Sequence, residues 1–375
     1  MRVLQLINRR QRRGAEIFAM ELSDILVGRG HDVLMAGIYP PRGTPLVPER
    51  AAYQDLDATE VRLFSPSAAS QVARIIRQFQ PDIVQANGSD TLKYTALAAS
   101  PSRRPWRLVY RNISVASRWL RGPLHRALNR RLVDRVDHVV AVSRASGEDF
   151  IQTYRVDAAR LSVIPQAAHV PAVIPRDRAR AALVALTGIS GDAKLVIHAG
   201  SFSPEKNHAW LLDAFRRVRA RHPDAHLVLL GDGPLRADIE ARVAVGDLGG
   251  AVHVLGSRSD APELFAGADL LVLPSLVEGL PGVVLEAAAH AVPAVANHVG
   301  GVPEVVIDGE TGTLVQPGDM EAFVDAIDAL LAHPDRREAL GTAARQLVLD
   351  SYDLERIAGD YETLYDSLLR RRAAA

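Results

Sequence analysis

The chain has 375 residues, 48% of them apolar, with 44 Lys plus Arg against 44 Asp plus Glu and no cysteine. At roughly 100–200 residues per domain this length favours two domains with full-sized cores, and without thiols there is no disulfide framework, zinc ribbon, Fe–S ligation or Cys nucleophile. Zero net charge argues against a dedicated nucleic-acid binder, and with no apolar run of roughly 20 residues and no signal-peptide pattern the chain is expected to be cytoplasmic.

Short β-branched runs recur along the chain, each followed by a helix-length amphipathic segment. The first half holds RVLQLIN (2–8), DVLMAGI (32–38), DIVQA (82–86), RLVYRN (107–112), HVVAVS (138–143) and LSVIP (161–165). The second holds AKLVIHAG (193–200), AHLVLLG (225–231), AVHVLG (251–256), DLLVLP (269–274), AVPAVAN (291–297) and GTLV (312–315). Strands alternating with helices predict parallel sheets covered on both faces, in an α/β fold. Twelve strands exceed what one sheet usually carries, so the series is divided at PQAAHVPAVIP (165–175), where three prolines interrupt helix and strand alike. The expected units are residues 1–165 and 176–350, two Rossmann-like domains, with 166–175 as the linker.

Divided there, the charge is uneven. Residues 1–165 hold 25 Lys plus Arg and 15 Asp plus Glu, and the rest of the chain holds 19 and 29. A basic first half suits an anionic partner or lipid surface, or attraction between the halves. Within it, SRWLRGPLHRALNRRLVDRVD (117–137) reads as one amphipathic helix. Its stripe is Trp119, Leu120, Leu124, Leu128 and Leu132, flanked by Arg118, Arg121, Arg126, Arg130 and Arg135. Such a helix either covers the sheet or lies in an anionic membrane interface.

Three segments of the second half sit where doubly wound folds bind ligands, at the carboxyl ends of strands. In HAGSFSPEKNHAWLLDAF (198–215), Lys206 stands at a strand-to-helix corner where an ammonium can meet a diphosphate. It is one of only three Lys, against 41 Arg. In LVLLGDGPLRADIE (227–240), Gly231 and Gly233 end a strand and Pro234 opens a helix. In PSLVEGLPGVVLEAAAHAVPAVANHVGGVPEV (274–305), Glu278 and Glu286 are separated by seven residues, with Gly279, Pro281 and Gly282 between them. The glycines admit a ligand close to the backbone, and a helix starting near Gly282 presents unpaired N–H groups to phosphate oxygens. Both carboxylates can accept hydrogen bonds from sugar hydroxyls. His208 and His298 beside these motifs read as surface or capping residues.

Lys206 after Pro-Glu, the Gly-Asp-Gly-Pro turn and the Glu–seven–Glu block followed by HVGGVPEV together resemble the retaining glycosyltransferases of family 4. The Gly-Ala-Glu of QRRGAEIFAMELSDILVGRGHDV (11–33), AVSRASGEDF (141–150) and LSVIPQAAH (161–169) extend the resemblance over nearly the whole chain. It implies a GT-B fold, two Rossmann-like parallel-sheet domains facing each other across a cleft, with a C-terminal helix (351–375) returning to the first domain. It also implies a nucleoside-diphosphate sugar as donor, held mainly by the second domain, and a glycan or lipid-linked acceptor held by the first. No cofactor or metal is expected; the only Asp-x-Asp, Asp55-Leu56-Asp57, falls in a segment read as a loop outside the donor domain. By position, Lys206 would neutralise the diphosphate, Glu286 would hold the ribose and Glu278 would contact the transferred sugar as the nearest to a catalytic residue. Leu280, Pro281, Gly282 and Val283 would approach the phosphates, Leu255, Gly256 and Arg258 would border the base, and Gly14 would face the diphosphate from the first domain.

The chain departs from the family pattern at several places. Ser201 stands where an Arg is usual, leaving Lys206 without its second cation unless Arg258 or an Arg of the 9–13 run replaces it. Arg13 precedes Gly14 in place of a second Gly. Arg111 and Asn112 stand on the acceptor side where many members carry a His, and Gln166-Ala167-Ala168-His169 replaces Asn-Gly-Val-Asp. The alternatives to sugar transfer are a nucleotide-sugar epimerase or hydrolase of the same fold and a non-catalytic nucleotide-sugar binder.

Overall fold

The computed structural model describes residues 1–41, 43–61, 64–99, 104–120, 122–168, 174–245 and 248–373, except for the side chains of 372 and 373. Arg121, His169 and the middle of the expected linker, 169–173, lie outside the described residues. The chain forms two compact units: unit 1 is Met1–Ala167 with Leu354–Ala375, and unit 2 is Ala168–Asp353. Unit 2 starts and finishes side by side, since Ala168 bridges Asp353 and its N–H donates to the Tyr352 carbonyl at 3.0 Å.

Unit 1 contains β1 (Arg2–Ile7), β2 (Asp32–Gly37), β3 (Ala52–Asp55), β4 (Ile83–Asn87), β5 (Arg107–Asn112), β6 (His138–Ala141) and β7 (Leu161–Val163). They form one parallel sheet in the order β3-β2-β1-β4-β5-β6-β7. The apolar runs are continuous because both faces are covered. One face packs Leu4, Leu6, Val84 and Leu108 against Val72, Ile76 and Phe150. The other packs Val3, Ile83, Val109 and Val140 against Phe18 and Leu22 of helix Gly14–Gly28 and against Tyr361 and Tyr365 of helix Leu354–Ala373.

Strand β3 corrects the reading of Asp55-Leu56-Asp57 as loop: Asp55 ends an edge strand. That strand has no apolar run because its first three positions face solvent. Arg10 closes on the Asp55 carboxylate through Nε at 2.9 and 3.1 Å and stacks over the Tyr53 ring at 4.2 Å, while Arg9 pairs with Glu60 at 2.7 Å. Both are buried structural cations of unit 1.

The single helix expected over 117–137 is also corrected. A 3₁₀ turn, Ala116–Trp119, and a helix, Pro123–Val133, are separated at Gly122, whose φ of 106° and following proline stop the first turn from continuing. Leu120 and Leu132 pack on the core, whereas Trp119, Leu124 and Leu128 are exposed.

Unit 2 contains β8 (Lys194–Ala199), β9 (Ala225–Leu230), β10 (Val252–Gly256), β11 (Leu270–Leu273), β12 (Ala294–Asn297) and β13 (Gly312–Val315). They form a parallel sheet in the order β10-β9-β8-β11-β12-β13. Its strand order reverses between β8 and β11, where the crossovers leave in opposite directions and open a crevice at the carboxyl ends. Helices His208–Arg221 and Met320–Ala332 cover one face, burying Leu211, Phe215, Phe323 and Ile327 against Leu227 and Val272. Among the described residues no helix is long and apolar enough to cross a membrane.

Candidate active site

The carboxyl ends of β8, β9 and β10 are locked together by backbone. Gly200 N–H donates to Leu230 O at 2.9 Å, Gly231 N–H to Gly256 O at 2.8 Å, Phe202 N–H to Asp232 O at 3.0 Å and Leu235 N–H to Phe202 O at 3.0 Å. The Gly-Asp-Gly-Pro turn is glycine-rich for this reason: at Gly231, with φ of 142°, a Cβ would lie 1.8 Å from the Gly200 carbonyl oxygen. Anchored this way, the chain makes a 3₁₀ turn over Pro204–Lys206, and Asn207, with φ of 59°, turns it into helix His208–Arg221. The Lys206 stem passes over Gly200, its Cε 3.4 Å from where a Cβ would stand.

On the other side of the reversal, the loop after β11 is held by neighbours rather than by its own turn. Asn297 donates to Pro274 O at 2.9 Å and Ser275 O at 3.2 Å, and Leu276 N–H donates to Glu205 O at 2.8 Å, tying the two loops together. Gly300, with φ of 50°, crosses so close to Glu278 that a Cβ would sit 1.9 Å from its carbonyl oxygen. These contacts bring Lys206 and Glu278, 72 residues apart, to 2.5 Å between Nζ and Oε1, with side-chain exposures of 18% and 10%.

Helix Gly282–Ala289 follows with Pro281 at its N-cap and no side chain capping it. The N–H groups of Gly282 and Val283 meet no acceptor among the described residues, leaving the positive end of the helix open. Leu280 and Pro281 are buried beneath it. Glu286, one turn on, reaches partial exposure with no hydrogen bond or ion pair among the described residues, and desolvation raises its pKa above the usual carboxylate value. The crevice thus holds one ammonium, two carboxylates and a helix N-terminus, a set able to bind a diphosphate beside hydroxyl-rich groups.

Other expected residues sit differently. Leu255 and Gly256 end β10, the latter with φ of 73°. Arg258 is held by Asp260 in a two-point contact of 2.8 and 2.7 Å, and Ser201 is exposed. In unit 1, Gly14 is exposed at the start of its helix. Arg111 and Asn112, expected to contact an acceptor, are 0% and 2% exposed. The Arg111 guanidinium lies 4.0 Å from the centre of the Phe18 ring and 3.5 Å from Gln166 Oε1, and Asn112 donates to Ser114 O at 2.9 Å; both are interior side chains at the carboxyl end of β5.

Two features escaped the sequence reading. His208 is buried, not a surface or capping residue: its ring meets those of His198 and Phe202 edge-on at 4.8 Å each. Burial, with the Lys206 charge nearby, lowers the pKa of His198 to about 3 and of His208 to about 4, so both are neutral beneath the ammonium. Arg236 reaches back toward Gly256 while paired with Asp232 at 3.1 Å and Glu240 at 2.8 Å. A histidine at the end of an apolar strand was the available signal for the first; nothing in the spacing marked the second. His298 is exposed.

Residues 12–169 match the model of glycosyltransferase family 4, and residues 181–347 match that of the glycosyl transferases group 1. A GDP-mannose-dependent alpha-(1-6)-phosphatidylinositol monomannoside mannosyltransferase of Mycolicibacterium smegmatis is 33% identical over 307 residues, covering 78% of each chain. Sulfoquinovosyl transferase of Arabidopsis thaliana is 30% identical over 75% of this chain and 55% of its own. Among solved structures, Anabaena HepE in complex with UDP-glucose superposes with a TM-score of 0.84 at 22% identity, covering 98% of this chain and all of that one. The fold is GT-B, and the protein is a glycosyltransferase of the hexosyltransferase type. The chain belongs to glycosyltransferase family 4.

Proposed function

We propose that the protein moves a hexose, with retention of configuration, from a nucleoside-diphosphate sugar to a glycan or lipid-linked acceptor without a metal. The observation that carries this reading is the Lys206–Glu278 pair at the strand-order reversal, beside the uncapped start of helix Gly282–Ala289. On donor binding the diphosphate takes Lys206 from Glu278, and Gly282 and Val283 N–H groups take phosphate oxygens, with Leu280 and Pro281 shaping the approach. Glu286 accepts from the ribose hydroxyls, which offset its desolvation, and the freed Glu278 accepts from the sugar. Leu255 and Gly256 border the base.

As the bond from the anomeric carbon to the phosphate oxygen breaks, negative charge grows on the leaving diphosphate and positive charge on the sugar ring. Lys206 and the helix end stabilise the first, the Glu278 carboxylate the second, and both are in place before the reaction. The bond pair leaves with the phosphate, which takes the acceptor proton as the acceptor oxygen bonds to the same face. The relative that uses GDP-mannose on a phosphatidylinositol glycolipid supports that donor and a lipid-linked acceptor as the first to test.

The experiment is turnover of UDP-, GDP- and ADP-sugars in EDTA, with and without acceptor, followed by NMR of the product. Transfer in EDTA with the donor's anomeric configuration supports the reading. Conversion without acceptor, an inverted product, or activity that returns only with a divalent cation overturns it.

A further inference from the structure

We infer that the surface carried by residues 116–133 of unit 1 docks on an anionic lipid bilayer. Helix Pro123–Val133 is exposed at every position from Pro123 to Leu128, with Leu124 at 83% and Leu128 at 57%, and Trp119, in the 3₁₀ turn just before it, is 54% exposed. Val133 marks the side that faces the body of unit 1. At about 100° per residue, Leu124 lies about 180° around the helix from Val133 and about 80° from the core-packed Leu132, so it points outward, while Leu128, about 140° and 40° away, sits at the border of the buried side and is still more than half exposed. With Leu132 and Val133 turned to the core, Leu124, Leu128 and the preceding Trp119 remain as exposed apolar side chains without a partner among the described residues.

The charges around this face are equally unmatched. From residue 114 to residue 133 the sequence contains five arginines and no acidic residue. Arg118, Arg126, Arg130 and Arg131 are exposed and make no ion pair among the described residues, so four guanidinium charges cluster around Trp119, Leu124 and Leu128 with no carboxylate against them. Guanidinium groups around a Trp and exposed leucines match a surface that is anionic at headgroup level and apolar just below it. A second copy of the same face would set like charges against each other, and an acidic protein or nucleic acid would leave the leucines in water.

This inference stands apart from the donor assignments, which lie in unit 2. The test is co-sedimentation of the full chain with vesicles of phosphatidylcholine, with and without phosphatidylglycerol, alongside tryptophan emission. Trp119 is the reporter, because Trp106 is buried and Trp210 packs on Phe323. Expected are binding only to the anionic vesicles, weakened by salt, and a blue shift of Trp119 emission that Trp119→Phe removes. Arg126→Ser/Arg130→Ser/Arg131→Ser lowers partitioning about a hundredfold, at about fivefold per charge. Leu124→Ser/Leu128→Ser weakens binding and loses the shift, and both variants keep wild-type transfer to a water-soluble acceptor. Equal binding to both vesicles, wild-type binding by both variants, or self-association without lipid that Leu124→Ser/Leu128→Ser abolishes overturns the inference.

Discussion

Replacing Lys206 with Met separates what its ammonium does for folding from what it does for transfer. With Nζ and Oε1 2.5 Å apart, the two charges attract by about 7 kcal/mol at an effective dielectric of about 20. Side-chain exposures of 18% and 10% mean that most of this is offset by loss of hydration. Removing Lys206 alone strands the Glu278 carboxylate with little water around it, which costs about 3 kcal/mol and lowers the unit 2 melting transition by about 6–12 °C. Lys206→Met/Glu278→Gln has no stranded charge and returns to within about 1 kcal/mol of wild type. Under the proposed function activity does not follow stability, because both variants lack the cation assigned to the leaving diphosphate: kcat/KM is expected to fall about 10²–10³-fold in the single variant and to recover nothing in the double. Calorimetry on the three proteins and initial rates with a saturating acceptor read the two effects separately. A single variant within tenfold of wild-type transfer, or a double variant no more stable than the single, refutes the reasoning.

Gly231→Ala drives a Cβ into the Gly200 carbonyl at a φ of 142°; unit 2 loses about 3 kcal/mol, read as a lower urea midpoint by Trp210 fluorescence, and an unchanged midpoint contradicts the packing described. Desolvation raises the Glu286 pKa above 4.5, so the stability it gives relative to Gln is full below that value and lost as pH rises through the raised one. Glu286→Gln without donor therefore melts near wild type at pH 4 and above it at pH 7; a difference that does not change with pH removes the argument. His198 and His208, held neutral with pKa values of about 3 and about 4 against the usual 6.5, give stability that is present above pH 6.5 and lost as pH falls toward those values. His208→Phe, which can keep the edge contact with Phe202, flattens the decline of the urea midpoint between pH 6.5 and 4, and an unaltered slope speaks against a buried neutral ring.

The sheets were legible because central parallel strands are apolar on both faces: RLVYRN coincides with β5 to the residue. β3 was not, since an edge strand with three solvent-facing positions carries no such run. Lys206, Glu278 and Glu286 were each recognisable from local spacing. The ion pair between the first two was not, because it depends on β8 lying next to β11, which no local pattern specifies. Periodicity drew one helix over 117–137 by weighing the leucines and overlooking the Gly-Pro stop. His208, read as a surface or capping residue beside its motif, is instead buried against the His198 and Phe202 rings.

The composition of unit 1 sets an order of events during synthesis. Its first 167 residues leave the ribosome with Phe18, Leu22 and Leu26 uncovered, because Tyr361 and Tyr365, which close over that face, are encoded after all of unit 2. At roughly 5–20 residues per second, translating the intervening segment takes about ten to forty seconds. Unit 2 has no such wait, being one uninterrupted stretch that is complete when Asp353 emerges. The face of unit 1 that holds Phe18 and Leu22 therefore stays open throughout the synthesis of unit 2 and closes only when the final helix arrives.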